Sequence, residues 1–362
     1  IENPKRGLVI SKKAYRASEK LGYRLGTANS ILNQGWCYNF LAKYEKSLSL
    51  LEEALLLFQE INHYLGTTKA FNALGSVYFN LGRFEQALEY YTRSLELGEK
   101  HDNFERQIAA LNNIGEVLWE LKDQKQALSY FNRALVIAEK YNQLEKIGNI
   151  LVNIGQGYKT LEKYDEATKS LERALEIGEK LKDYINQVKS FNLLGTVFLE
   201  QGNLEKAEDC HKKALTISMD TGNKLGELEA LMSLARIHKE RGDWITALSL
   251  NKQAHRLVKN IQAKGYLYKI CFEISSLYEE LGKYKLSLNY LKQSYYSEKE
   301  VKNEETNKRI QRITLQYEID KSKQEAEIYR LKNVELKKKS EELEKSYRIL
   351  KIIEKIGKQI TS

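Results

Sequence analysis

Hydrophobic, small and polar positions repeat along this chain every 40 residues. In residues 72–88, NALGSVYFNLGRFEQAL, the surroundings favour helix, yet Gly75 sits in mid-run, where glycine costs about 1 kcal/mol relative to alanine. The same small site recurs as Gly35, Gly115, Gly155 and Gly195, then as Ala235 and Ser275. Twelve residues on stands a second small column, Ser47, Ala87, Ala127, Ala167, Ala207, Ala247 and Ser287. A third follows seven further on, from Ala54 and Ser94 to Ala254 and Ser294. Three residues after the first small site comes a bulkier one: Tyr38, Tyr78, Leu118, Tyr158, Phe198, His238 or Tyr278. Columns in fixed phase across seven units mark a repeat architecture.

Each unit reads as two antiparallel helices. In the first, helix A is expected over 27–41, a tight turn near Ala42–Lys43, and helix B over 44–61. Four units carry glycine at that turn: Gly82, Gly202, Gly242 and Gly282. Gly75 is then explained by close approach of helix A to helix B, with Ala87 as the small surface opposite. Burial of Leu74, Tyr78, Leu88 and Tyr91 there outweighs the propensity cost, at roughly 1.5–3 kcal/mol per large side chain. Residues 4–21 fit the register of a helix B, with Pro4 in its first turn, where proline is tolerated. The predicted fold is therefore all-α, an α-α superhelix. It has a partial repeat at 1–26, seven repeats over 27–297 and a different segment over 298–362.

The pattern resembles the tetratricopeptide repeat (TPR), whose motif stands here as LGSVY…ALEYY…S and IGQGY…ATKSL…A. Ala235, His238 and Ser275 depart from it, so repeats six and seven are expected to cap the array or dock the tail. The resemblance implies a concave wall lined by A helices that binds an extended peptide or another protein's helix. By the family's register, groove-facing sites lie six, three and two residues before the small site, and one and four after it. These include Asn29, Asn33, Trp36, Lys69, Asn72 and Asn113, then Trp119, Asn153, Lys159, Asn192, Arg236 and Lys239. Asparagines can grip a peptide backbone, since the amide both donates and accepts; alternatively they bridge neighbouring A helices. Lysine and arginine among them would favour an acidic segment or a carboxylate terminus. The complete carboxylate clamp of chaperone-tail receptors is not present.

After about residue 298 the period stops, and apolar residues take coiled-coil-like spacings. Ile310, Ile313 and Tyr317 form one block, and Ile328, Leu331, Leu336, Leu343, Tyr347 and Leu350 continue with shifted register. A helix over 298–356 would be on the order of 90 Å long, too exposed to bury its stripe alone. Pairing with a second copy, through Ile328 to Leu350, is the expectation, and folding back onto the array is the alternative. LQYEIDKSKQEAEIYRLKNVEL resembles the connector that follows TPR arrays in bacterial signalling proteins, and ILKIIEKIGKQITS is similar to the lead-in helix of a GAF domain. That likeness implies a downstream cyclase, kinase or phosphatase output.

Composition changes this picture little. The 362 residues are 42% hydrophobic with a single proline, which suits an all-helical chain. The longest apolar runs fall far short of the roughly 20 residues that cross a bilayer, and the amino end shows no signal-peptide pattern. The net charge of +9 comes from 58 basic and 49 acidic residues interleaved almost everywhere, which describes solvated helix faces rather than a stripe tracking nucleic acid. Cys37, Cys210 and Cys271 lie far apart, which fits small buried residues in a reducing, cytoplasmic setting. The glycines form no phosphate loop, and the five histidines show no metal-ligand spacing. No cofactor, metal or catalysis is expected of this chain. The expectation is a regulatory module whose groove binds a peptide or protein and whose terminal helix relays the event by dimerisation; a passive assembly scaffold is the rival.

Overall fold

The computed structural model describes residues 3–261, 263–303 and 339. The chain divides into two compact units, Ile1–Val301 and Lys302–Ser362; the first is the array, and the second lies almost wholly outside the described residues. The array opens with α1 (Pro4–Lys20), α2 (Arg24–Phe40), α3 (Tyr44–Glu60), α4 (Tyr64–Asn80) and α5 (Phe84–Lys100). It continues through α6 (Phe104–Glu120), α7 (Gln124–Lys140), α8 (Leu144–Thr160), α9 (Tyr164–Leu181) and α10 (Tyr184–Glu200). Then come α11 (Leu204–Thr221), α12 (Lys224–Glu240), α13 (Trp244–Ile261) and α14 (Lys264–Glu280). Residues 284–303 form a further helix, α15. No strand occurs among the described residues.

The 40-residue period resolves into two halves of 20. A left-handed residue closes a helix at Gly22, Ala42, Asn62, Gly82, Asp102, Lys122 and onward in the same step to Gly222, Gly242 and Gly282. After each, the chain makes the paired bonds that end a helix: Gly82 N–H donates to the Phe79 carbonyl at 2.8 Å, and Arg83 N–H to that of Tyr78 at 2.8 Å. The next helix is capped by Asn or Asp at several starts, as where Asn103 Oδ1 accepts from Arg106 N–H at 3.1 Å. Glycine suits the left-handed site without strain, whereas Ala42, Lys122, Glu162 and Lys182 adopt it at some cost. Sequence reading saw the turn within a repeat and missed the equivalent one between repeats, where Asn62, Asp102 and Asn142 replace glycine. For that reason helix A begins at Arg24, three residues before the expected 27.

Helices pack on their chain neighbours, and A helices also meet A helices of adjacent repeats, as α2 with α4, α8 with α10 and α10 with α12. This closer spacing on one side curves the array with the A helices on its concave wall.

Gly75 is small for the reason expected, but its partner differs. A Cβ placed there would lie 2.6 Å from the Tyr91 ring, not against Ala87. The same residue, sixteen further on, fills the notch at Gly35 (Leu51), Gly115 (Phe131), Gly155 (Leu171) and Gly195 (His211). Gly75→Ala therefore gains about 1 kcal/mol of helix propensity and loses more by overpacking, typically 1–3 kcal/mol. A net destabilisation is expected in urea denaturation, and an unchanged or raised midpoint would refute this account of the notch.

Candidate functional site

The concave wall carries a ladder of asparagines. Asn113 Nδ2 donates to Asn72 Oδ1 at 2.7 Å, joining α6 to α4, and Asn153 Nδ2 donates to Asn112 Oδ1 at 3.1 Å, joining α8 to α6. Asn80 Nδ2 reaches Asn39 Oδ1 at 3.0 Å, and Asn39 Nδ2 reaches Ser76 Oγ at 3.1 Å. Of the two roles considered for these amides, the bridging one is realised by Asn72, Asn113 and Asn153. All three stay half-buried, and Asn113 and Asn153 also line a hollow of the wall. Asn29 bonds back to the Leu25 carbonyl of its own helix at 2.9 Å, and Asn33 is exposed. Trp36 is half-buried and stacks on Phe40 with ring centroids 6.0 Å apart.

The basic candidates are mostly paired. Lys159 Nζ lies 3.3 Å from Glu200, Lys239 Nζ 2.8 Å from Glu273, and Arg236 Nε 3.0 Å from Glu240. Each joins or runs along A helices, so three of the cations that suggested an acidic ligand are neutralised within the array. Lys69 is half-buried. Asn192 is buried, with its Oδ1 3.1 Å from His211 Nδ1, and it also lines the cleft described below. His211 fills the notch at Gly195, as its column predicts, and burial lowers its pKa to about 4. The dimerisation candidates Ile328, Leu331, Leu336, Leu343, Tyr347 and Leu350 lie outside the described residues, as does the segment similar to a GAF lead-in.

What the wall offers a ligand is a trough. One part of it is a cleft of about 1110 Å³ between α8, α10 and α12, reaching Tyr266 on α14. Asn153, Gln156, Lys189, Thr196 and Ser233 supply polar groups along it, while Ile185, Leu193, Leu225 and Met232 supply apolar surface. Tyr266 donates to Glu229 Oε1 at 3.0 Å, and burial with that carboxylate beside it pushes the phenol up to about 12. A smaller hollow of about 290 Å³, sharing Asn153 and Lys189, extends the trough to Asn112 and Glu116. Glu116 keeps surface open to solvent yet sits deep in the concavity, where displaced water pushes its carboxyl above the usual range against the opposing Asn112 hydrogen bond and Lys189 charge. Apolar surface interspersed with amides and hydroxyls is the form of a recognition groove.

Sequence reading passed over several of these residues. Glu116, Gln156 and Thr196 stand one after the small site, and Lys189 and Glu229 six before it, so the register itself contained them. Ile185, Leu225 and Tyr266 belong to the first turn of each A helix, outside that register, and only the fold brings them to the cleft. Among the described residues no helix is long and apolar enough to cross a membrane. None of their His, Cys, Asp and Glu side chains form a group of three able to hold a metal. The three cysteines are buried, and burial raises Cys210 to about 11.

Comparison with known proteins agrees with this geometry. A tetratricopeptide-repeat family model matches residues 66–140, 146–220 and 194–260, and a second matches 268–300. Among solved structures, the apo form of RapI is 19% identical, with 76% of this chain and 99% of that chain covered and a TM-score of 0.62. The apo quorum sensor NprR from B. thuringiensis is 16% identical over 81% of this chain and 83% of its own, with a TM-score of 0.63. The Rap conjugation gene regulator of plasmid pLS20, in complex with the Phr* peptide, is 19% identical over 79% and 77%, with a TM-score of 0.54. No curated protein matches the chain in sequence. These identities speak to fold alone. Family models in register with helices, turns and notch glycines that repeat through the array lead to one conclusion: the chain belongs to the tetratricopeptide-repeat family.

Proposed function

We propose that this protein is a non-catalytic regulatory module that binds a peptide along its concave trough. The observation that carries this reading is the pair of adjoining hollows over α6, α8, α10 and α12, lined by apolar side chains together with amides and hydroxyls. Such a surface suits an extended chain, whose backbone needs donors and acceptors at short intervals. The folds it resembles include a quorum sensor and a gene regulator bound to a peptide, which supports the same reading. The test is retention of a blocked random pentapeptide pool by the 362-residue chain, compared with Gln156→Arg and Thr196→Arg, which obstruct the trough at exposed and half-buried sites. At least tenfold lower retention by both is expected; equal retention overturns the reading.

Relay is the finer part of the proposal. Ligand binding would favour one packing of neighbouring repeats and so change the spacing of paired terminal helices, passing the event to an output domain in the cytoplasm. Light scattering of residues 1–362 and 1–296 should give a dimer and a monomer; monomers in both cases would remove the dimer relay and leave a binding module or scaffold.

A further inference from the structure

Beside the trough, between α4, α6 and α8, lies a cup of about 230 Å³ lined by Phe79, Glu116, Trp119, Glu120, Asn153 and Gln156, with Phe131 beneath. Its volume is below that of a drug-sized pocket and suits one long side chain. Glu116 and Glu120 stand one turn apart on α6 and both line the cup, and among the described residues no ion pair reaches either of them. Lys189, in the adjoining hollow, acts on Glu116 only through space. The Trp119 and Phe79 rings complete the lining, and an aromatic ring face attracts a cation through its quadrupole. Asn153 and Gln156 add carbonyl oxygens that accept from a guanidinium or ammonium group.

We propose that this cup is a specificity subsite for a cationic side chain, arginine or lysine, of the peptide held in the neighbouring trough. The inference rests on the peptide-binding reading and deepens it. It also reverses the acidic ligand suggested by the basic residues of the A helices: Lys159, Arg236 and Lys239 have internal acidic partners, while the carboxylates of the cup have none that is basic within ion-pair reach. A bound cation would replace the water that Glu116 has lost in the concavity.

The test uses Trp119 as reporter, in the full chain carrying Trp36→Phe and Trp244→Phe, which leaves it the single indole. Three blocked or small probes are titrated: N-acetyl-argininamide, its neutral counterpart N-acetyl-glutaminamide, and glycinamide, whose only cation is the backbone amine. Saturable quenching by the arginine probe alone is expected, with half-saturation at least tenfold higher after Glu116→Gln with Glu120→Gln. Those changes sit at exposed positions, and circular dichroism melting checks the fold. Equal half-saturation with and without the carboxylates, no saturable response, or a response to the neutral probe overturns the subsite. Saturation by glycinamide alone would assign the cup to a peptide amino terminus and overturn the side-chain proposal. Peptide-pool retention by the same protein separates failure of the cup from failure of the trough.

Discussion

Phe58→Ala is expected to destabilise the junction of α3 and α4 by about 3–5 kcal/mol, the range for removing a fully buried aromatic. Phe58 has no exposed surface, and its ring occupies the space that a side chain on Gly66 would take. It also lies 5.7 Å from the His63 ring between centroids. Gly66 has no side chain with which to fill the void, so relaxation is limited. The equivalent site between α5 and α6 shows the reverse solution: Gly98 faces Arg106, whose Cβ would lie 3.3 Å from a Cβ on Gly98. Between α9 and α10, Gly178 is met by Gln187, whose Nε2 donates to the Gly178 carbonyl at 2.9 Å. Adding Gly66→Arg to Phe58→Ala approaches the small-and-large arrangement of the α5–α6 pair, and a favourable coupling of about 1–2 kcal/mol is expected from a double-mutant cycle. Guanidinium denaturation of the four proteins measures it. A loss under about 1 kcal/mol for Phe58→Ala would mean that this junction collapses freely.

The second large effect is pH-dependent. His211 is fully buried; burial holds its pKa near 4, against an ordinary 6.5, and Nε2 faces the Gly195 notch without a hydrogen-bond partner. The unfolded chain therefore binds a proton on this residue more readily than the folded one. Its contribution is intact above the unfolded value and is lost as pH falls from about 6.5 to about 4. Each unit of difference is worth 1.36 kcal/mol, so the whole loss is roughly 3 kcal/mol. His211→Phe, which copies the Phe131 ring at Gly115, should flatten that part of the stability profile. His255 is also held low by burial and the Lys259 charge, so the difference between wild type and His211→Phe isolates His211. Parallel profiles for the two proteins from pH 7 to 4 would refute the buried neutral imidazole.

Much of the array was legible because one constraint is imposed repeatedly. A notch glycine, a small site twelve residues on and a turn glycine recur in phase, and a 40-residue period follows from Gly35 to Gly195 by inspection. Most inter-repeat turns were not legible from glycine: Gly22 and Gly222 aside, Asn62, Asp102, Asn142 and Lys182 occupy the left-handed site there. The concave positions were legible as a register. Their chemistry was not: Asn72 and Asn153 look alike in sequence to a free amide, and only the neighbouring helix shows that each is half used by a bridge.

The sequence by itself determined helix pairs and their order, because these depend on spacing within a helix and on local turn chemistry. Tertiary structure alone decided how volumes are shared between repeats. The column Ser18, Phe58, Gly98, Ala138, Gly178, Ser218 and Val258 appears unconstrained in sequence, yet Phe58 stands over Gly66 and Gly98 under Arg106. Packing restricts the sum of two side chains from different helices, and a sum cannot be read from either column. The same holds for charge: Lys159 and Glu116 are both polar residues of an A helix, but a partner 41 residues on neutralises the first. The second is left facing a cup.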